Sequence, residues 1–481
     1  MIKRIYKTYC DMSEPLKASI WYSMCSILNK GIALISTPIF TRVMSEEDYG
    51  SFAIFQSWYG IILIFTSMNV FLSGYQKGLL LFKNEREKFT SSQLGLTTLL
   101  TGIFCIIYLC NIRFWTKILE ISPVLMIAMF IELFTMPALE LWASSKRFDY
   151  KYKKYVFVSL AMSFFSVFGG VIAVLNNKNK LAARVYTDVG AKSAFAIILF
   201  IIIFYKGKTI YDKKFWKYAI CFNLPLIPHY LANYVLGQSD RIMISKMIGN
   251  KQAAFYSVAY TISTIMLIII NAINDSLVPY IYKKIEKNEC GTIENIIKPI
   301  VFLMAGLCVM TMAFAPEVIL IFAGKKYMGA IYVIPPIACS VYFIFVYSLY
   351  STIEYYYQKT KSIALATTIS AILNLLLNAV CIEKFGYYAA GYTTLFCYIC
   401  LAVMHHAFYK AIIKESDLEC KKLYNERNIF FVGIFTIIIM LIMVVTYKIT
   451  IIRYMIILFI IICLIVKRRY LLEILKGIKE K

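Results

Sequence analysis

The sequence predicts an all-α membrane protein of about 14 transmembrane helices, with two six-helix lobes around a central cavity and two extra C-terminal helices. Fourteen apolar segments follow one another through the 481 residues, and the loops between them are alternately rich and poor in Lys and Arg. A helix needs about 20 apolar residues to cross a hydrocarbon core of roughly 30 Å. Each segment is about long enough to do so.

Each predicted span is an apolar run bounded by charged or polar residues. In chain order the spans are Ser19–Phe40, Ser51–Ser73, Leu94–Ile112, Ser122–Trp142, Tyr155–Leu175, Leu181–Phe204, Phe215–Leu236, Ala253–Leu277, Ile297–Ala323, Ala330–Ser351, Ser362–Ile382, Tyr388–Tyr409, Ile429–Tyr447 and Thr450–Val466. Helices 1 to 6 (residues 1–212) form the first predicted lobe and helices 7 to 12 (213–412) the second. Residues 413–481 hold helices 13 and 14 and a cytoplasmic tail.

The distribution of positive charge predicts that both termini are cytoplasmic, because Lys and Arg are retained on that side of short loops. With the amino terminus inside, 35 of the 51 Lys and Arg residues lie in or beside cytoplasmic segments and 14 on the other side. Lys30 and Lys192 lie within helices. The net charge of +24 is spread over the cytoplasmic loops, which indicates topology and contact with anionic lipids rather than a nucleic-acid partner.

Motif searches favour a transporter over an enzyme. The sequence lacks the GxxxxGK[ST] phosphate loop, HExxH and GxSxG, which argues against an ATP-driven pump or a membrane hydrolase. The thirteen cysteines mostly lie in apolar runs, where a free cysteine behaves as a small hydrophobic residue. We predict no catalytic residue, no metal site and no cofactor.

A short internal repeat predicts two related halves. Residues 40–45, which include Arg42, align with residues 244–249 at an offset of 204, with matching hydroxyl, cationic and apolar positions. Six helices separate the two copies, so the halves should share one membrane orientation and be related by an axis along the membrane normal. Arg42 should then superpose near Lys246.

Ionisable residues at membrane depth are functional candidates, because a charge at the bilayer centre costs at least about 2.5–3.5 kcal/mol. Lys30 lies near the middle of helix 1. Arg184, Asp188 and Lys192 follow at i, i+4 and i+8 on helix 6 and share one face. Two interpretations stay open: the trio is an ion-pair ladder within the helix, or its surplus of one positive charge lines a water-filled cavity.

Other polar residues within the spans also have alternative interpretations. Glu132 in helix 4 is either a proton carrier or the static counter-ion of Lys30. The amides of helices 8 and 11 either bind sugars or hydrogen-bond neighbouring helices. These amides belong to Asn271, Asn274, Asn374 and Asn378, and Asp275, beside the first pair, is a candidate for coupling or gating.

Two sets of short motifs resemble a known family. Residues 29–31 (NKG), 37–42 (TPIFTR) and 49–50 (YG) resemble the opening of polysaccharide-biosynthesis membrane proteins, specifically the O-antigen unit flippases. Residues 224–225 (LP), 239–241 (SDR) and Tyr256 resemble the start of that family's second lobe. The likeness extends over the whole chain in length, helix count and charge layout. The wider superfamily also contains multidrug extruders and peptidoglycan-precursor flippases.

The resemblance implies a V-shaped pair of lobes whose cavity opens alternately to each side of the bacterial inner membrane. It implies a short oligosaccharide on a polyprenyl pyrophosphate as cargo, with the lipid tail remaining in the bilayer. Asp240 and Arg241, which from the sequence alone could form a surface ion pair worth about 0–1 kcal/mol, become candidates for gating, together with Arg42. Membrane lipids and other polysaccharide-assembly membrane proteins are the remaining expected partners.

Three functions are therefore hypotheses. A flippase for an anionic lipid-linked oligosaccharide, O-antigen or a similar surface-polysaccharide repeat unit, needs cavity cations, for which Lys30 and Lys192 are the candidates. A cation-coupled multidrug antiporter of the same fold would instead carry a surplus of carboxylates. A membrane polysaccharide polymerase should carry a large periplasmic loop, and the longest predicted one, 237–252, is short.

Cysteine labelling tests the predicted orientation. An impermeant maleimide added to whole cells should modify a cysteine placed at Glu47 or Lys326 and spare one placed at Lys153 or Lys287, because only the first two positions are predicted to face outward. Labelling the same variants in permeabilised cells controls for intrinsic reactivity. The reverse pattern would overturn the orientation.

Overall fold

The computed structural model describes residues 12–289, 291–416, 423–455 and 457–458. Every regular element within these ranges is a helix. The described residues contain twelve helical segments long and apolar enough to cross a membrane, one of which, Asn250–Glu286, comprises two consecutive helices. The predicted all-α membrane fold is confirmed. By its contacts the chain divides into a first unit, residues 1–234, and a second unit, residues 235–481.

The first unit is described from residue 12 onward and contains nine α-helices and the start of a tenth. They are α1 (Glu14–Val43), α2 (Glu46–Ser67), α3 (Ser73–Leu81), α4 (Arg86–Cys110), α5 (Ile112–Leu119), α6 (Pro123–Phe148), α7 (Tyr152–Asn176), α8 (Lys180–Gly207), α9 (Lys213–Asn223) and α10 (Ile227–Met247), which continues into the second unit.

The described part of the second unit continues with eight further α-helices and a 3-10 helix at Lys325–Tyr332. The α-helices are α11 (Asn250–Ser263), α12 (Met266–Glu286), α13 (Gly291–Ala313), α14 (Ala315–Phe322), α15 (Ile334–Tyr356), α16 (Thr360–Phe385), α17 (Tyr388–Glu415) and α18 (Glu426–Thr446). Residues 450–455 are helical again and begin the fourteenth predicted span. The rest of that span lies largely outside the described residues.

Several predicted spans are interrupted where the backbone cannot continue as an α-helix. Pro225 lies in a single 3-10 turn that separates α9 from α10, and Pro316 lies at the start of α14, just after α13 ends. Proline lacks the amide hydrogen that a helix interior needs, and its ring clashes with the preceding turn. The second span ends early, at Ser67, because Met68 and Asn69 adopt positive φ angles of 49°.

The most enclosed candidate span of each unit is α6 in the first and α15 in the second. In the most apolar stretch of α6, 67% of the residues are buried, and in α15 the value is 78%. Each is the fourth predicted helix of its half; the repeat itself remains a prediction. α8 packs against α2, α4, α6 and α7, so its polar face meets helices rather than solvent. The predicted lobe boundary after residue 212 remains a prediction; by contacts, α9 groups with the first unit.

Candidate functional site

The first unit contains a buried cluster of four charged side chains built on α8. Arg184, Asp188 and Lys192 lie on one face of this helix, as their spacing predicts, and α6 adds Glu132. The Lys192 Nζ atom lies 2.7 Å from Asp188 Oδ2 and 2.9 Å from Glu132 Oε1. Lys192 therefore bridges two carboxylates from two helices.

Asp188 joins three helices at the centre of this cluster. It accepts hydrogen bonds from Gln56 Nε2 of α2 at 3.0 Å and from the Ser166 hydroxyl of α7. The Gln56 amide donates to Oδ2, whereas the Ser166 hydroxyl donates to Oδ1, which also lies 3.9 Å from Arg184 Nη2. A buried carboxylate with this many partners is held in one position.

Arg184 is fixed by contacts of a different kind. Its guanidinium donates to the Ser166 carbonyl at 3.0 Å and lies over the rings of Phe40 and Phe52, at 4.1 and 4.7 Å from their centroids. Gly170 leaves the space for it, since a Cβ atom there would lie 2.8 Å from Arg184 Nη1. Cation–π contacts of this type are worth about 2 kcal/mol when desolvated.

The cluster is electrically balanced, which corrects one expectation. The surplus positive charge on α8, which is the sixth predicted span, is cancelled by Glu132 of α6. Glu132 pairs with Lys192 and not with Lys30. The contacts support the ladder interpretation of Arg184, Asp188 and Lys192. One acceptor stays unused, because the buried Oε2 of Glu132 makes no hydrogen bond to the described residues.

Lys30 differs from the cations of the α8 cluster because no acid of the described residues pairs with it. It lies near the middle of the 30-residue α1 and is partly exposed. Among the described residues it forms no ion pair and no hydrogen bond. Its neighbour Asn29 donates to Ser159 of α7 at 2.7 Å and accepts from Ser163, which fixes the backbone that carries Lys30.

The second unit contains a fully buried carboxylate at Asp240 of α10. It accepts hydrogen bonds from the Tyr256 hydroxyl, from Asn378 Nδ2 at 2.6 Å and from Thr394 Oγ1 at 2.8 Å. Asn374 completes the group through bonds to Asn378 and Thr394 at 3.2 and 3.3 Å. Four helices, α10, α11, α16 and α17, meet at this carboxylate.

This geometry corrects the sequence interpretation of Asp240 as one partner of a surface ion pair. Asp240 is 0% exposed, and no cation of the described residues is in salt-bridge contact with it; the adjacent Arg241 attracts it only at longer range. Arg241 instead hydrogen-bonds Gln238 and lies over the Tyr260 ring at 4.8 Å from its centroid. Asn374 and Asn378 are also buried, so their amides connect helices rather than line an open cavity.

The remaining predicted residues do not form a common cluster. Arg42 is exposed and donates to the Pro38 carbonyl at 2.9 Å. On α12, Asn271 and Asp275 are exposed, while Asn274 donates to Ser348 at 3.3 Å.

A buried pair that the sequence analysis missed lies in the second unit. Nδ1 of His405 in α17 lies 2.5 Å from Oε1 of Glu354 in α15, and both side chains are buried. The Ser362 hydroxyl donates to the second oxygen of Glu354 at 2.6 Å. The predicted tenth span ends at Ser351, so Glu354 lies beyond the residues predicted to be within the membrane. α15 continues to Tyr356, and a search for acids in the extension of each span would have found it.

Comparisons with known proteins agree with this architecture. A family model described as polysaccharide biosynthesis protein matches residues 16–285, more than half of the chain. A protein of the Lsg locus of Haemophilus influenzae is 24% identical over 384 residues, 74% of this chain and 88% of that protein. The lipid II flippase MurJ in an inward closed conformation aligns with a TM-score of 0.68 at 16% identity, over 94% of this chain and 100% of MurJ. An inward-facing multidrug resistance MATE family transporter of the MOP superfamily aligns with a TM-score of 0.64 at 12% identity, over 83% of this chain and 99% of the transporter.

The ion-pair geometry predicts unequal effects of removing its members. Lys192→Ala should lower the melting temperature of the purified protein more than Glu132→Ala, because it leaves two buried carboxylates without their shared cation. Glu132→Ala leaves Lys192 paired with Asp188. Breaking a buried pair from one side costs about 3–5 kcal/mol. The control Lys30→Ala should not lower the melting temperature, because Lys30 has no ion pair to lose, and a Lys192→Ala protein as stable as the wild type would contradict the pairing.

Proposed function

We propose that this chain, which belongs to the polysaccharide biosynthesis protein family, is a flippase for polyprenyl-pyrophosphate-linked oligosaccharides. It would carry an O-antigen or similar surface-polysaccharide repeat unit from the cytoplasmic to the outer leaflet of the bacterial inner membrane by alternating access. Family membership and a fold shared with a lipid flippase and with multidrug transporters support a translocating membrane protein. The residues near the middle of the helices, above all Lys30, support an anionic cargo.

The observation that carries the proposal is the unpaired cation Lys30. The charges of the α8 cluster neutralise one another, whereas Lys30 stands near the middle of α1 without a partner among the described residues. Such a charge is costly unless water or a ligand compensates it. A pyrophosphate supplies charge-assisted hydrogen bonds, which are strongest where water is excluded.

The other site residues take supporting roles in this proposal. Arg184, Asp188 and Lys192, with Glu132, hold α8 against its neighbours and so fix the wall of the first unit. The exposed amide of Asn271 and the carboxylate of Asp275 on α12 are candidates for contact with the sugars, with Asn274 beside them. Arg42 and Arg241 are proposed to act in gating. No step breaks a covalent bond, so the proposed activity is transport and not catalysis.

Asp240 is proposed as the coupling residue. A fully buried carboxylate that has no salt bridge to the described residues is neutralised most simply by a proton or a small cation. Oxygen atoms of Asn374, Asn378, Thr393 and Thr394 lie in the same hydrogen-bonded group. Binding and release of that charge would alter how α10, α11, α16 and α17 hold together, and this change would accompany the switch between the two access states.

Replacing Lys30 tests the cargo assignment. Lys30→Ala should reduce surface glycan by about tenfold to a hundredfold at normal protein abundance, which corresponds to losing a hydrogen bond to a charged group worth about 1.5–3 kcal/mol. Lys30→Arg should retain part of the export because it keeps the charge. Lys117→Ala, an exposed cation of α5, is the control. Export at the wild-type level by Lys30→Ala would contradict the assignment of Lys30 to pyrophosphate binding.

Replacing Asp240 tests the coupling. Asp240→Asn keeps the size and part of the hydrogen bonding but removes the charge, so cargo movement in proteoliposomes should no longer respond to an imposed proton or sodium gradient. Glu383→Gln, at an exposed carboxylate of α16 to which no role is assigned, should keep the response. If Asp240→Asn responds to the gradient as the wild type does, Asp240 does not couple transport.

A further inference from the structure

An apolar groove of about 710 Å³ runs along the first unit between α1 and α7. Trp21 of α1 forms part of its wall, and α7 supplies the remainder. Two adjacent rows of α7 line it, each with residues four apart and therefore aligned along the helix. The rows are Tyr152, Val156, Leu160 and Phe164, and Lys153, Phe157, Ala161 and Phe165.

The groove is long enough to hold a lipid chain across one leaflet. Residues 152 to 165 cover about 20 Å at 1.5 Å per residue, which exceeds the roughly 15 Å of hydrocarbon in one leaflet. Ala161, the smallest lining residue, lies in the middle of one row. Phe157 and Phe164 are 72% and 53% exposed, so the groove is open along its side and a chain could enter laterally.

The walls of the groove are fixed relative to each other. The Trp21 and Tyr152 rings stack with their centroids 6.1 Å apart. Deeper in the unit, Asn29 bonds Ser159 and Ser163 across the same two helices. Aromatic and polar contacts both join α1 to α7, so they hold the two walls of the groove in a defined arrangement.

The predicted cytoplasmic end of the groove is cationic. Lys153 lines the groove itself, and the segment 146–154 around it carries five cations and one acid. That acid, Asp149, already lies 3.7 Å from Arg86 and 3.8 Å from Lys151. Lys153 is therefore not neutralised by the acid of its own segment.

We propose that this groove holds the polyprenyl chain of the cargo in the cytoplasmic leaflet, with the pyrophosphate beside Lys153. The inference rests on the proposed flippase function, because it assigns a place to the lipid part of the same cargo. A doubly phosphorylated linkage matches a cationic groove end, and the apolar rows match an isoprenoid chain. The cargo would thus be captured by its lipid before its sugars enter the protein.

Photo-crosslinking locates the chain. p-Benzoylphenylalanine in place of Phe164 should capture polyprenyl pyrophosphate bearing a radiolabelled sugar in membranes. The same group in place of Leu99 is the matched control, since Leu99 is 48% exposed at a similar distance from the start of α4, outside the groove. Equal capture at both positions, or capture of phospholipid alone at position 164, would overturn the proposal.

Two substitutions test the two ends of the groove. Ala161→Trp should block the chain and Lys153→Ala should weaken the pyrophosphate contact, each lowering the crosslink yield at position 164 by about tenfold. Leu99→Trp and Lys88→Ala, an exposed cation outside the groove, should leave the yield unchanged. Yields at the wild-type level in both groove variants would contradict the assignment.

A reconstituted assay separates this inference from the proposed function. If wild-type proteoliposomes move the labelled lipid and the groove variants move it equally well, the groove assignment fails while the flippase function stands. If the wild-type protein moves no labelled lipid, the proposed function itself fails. Slower movement in Ala161→Trp and Lys153→Ala than in Leu99→Trp and Lys88→Ala supports both.

Discussion

Charge in hydrocarbon is costly, and its compensation determines how the helices of each unit meet. An uncompensated charge at the bilayer centre costs at least about 2.5–3.5 kcal/mol, a large share of the stability of most proteins. In the first unit, Gln56, Glu132 and Ser166 bring α2, α6 and α7 to the charged face of α8. In the second, the hydrogen bonds of Asp240 bring α11, α16 and α17 to α10.

The need to compensate buried charge distinguishes side chains that stabilise the helix packing from those proposed to bind the cargo or the coupling ion. Arg184, Asp188 and Lys192 satisfy one another with Glu132 and have little remaining capacity to bind a ligand. Lys30 and Asp240 each form no salt bridge among the described residues, and they carry opposite charges in different units. In the proposed cycle an anionic cargo and a coupling cation therefore bind separately, and each can shift the other's affinity only through the conformational change that they share.

Sequence patterns could predict most of the spans and the face of α8, because hydropathy and helical spacing are local properties. They could not predict that Lys192 meets Glu132, since that contact joins residues 60 positions apart and depends on how α6 packs on α8. Asp240 was assigned to the surface because it follows the apolar run of its span, yet α10 extends past it to Met247. The same extension of a helix beyond its apolar run concealed the pairing of Glu354 with His405.

The most direct test of anionic lipid-linked cargo compares two substrates in one reconstituted system. Proteoliposomes are loaded with an oligosaccharide linked through pyrophosphate to a polyprenyl chain, or with the same oligosaccharide on an uncharged polyprenyl glycoside, and the appearance of sugar on the opposite leaflet is followed by lectin binding. The pyrophosphate-linked lipid should cross much faster with the protein than without it, and the uncharged lipid should not. Equal movement of both lipids, or efflux of a cationic dye without movement of either, would contradict the proposal.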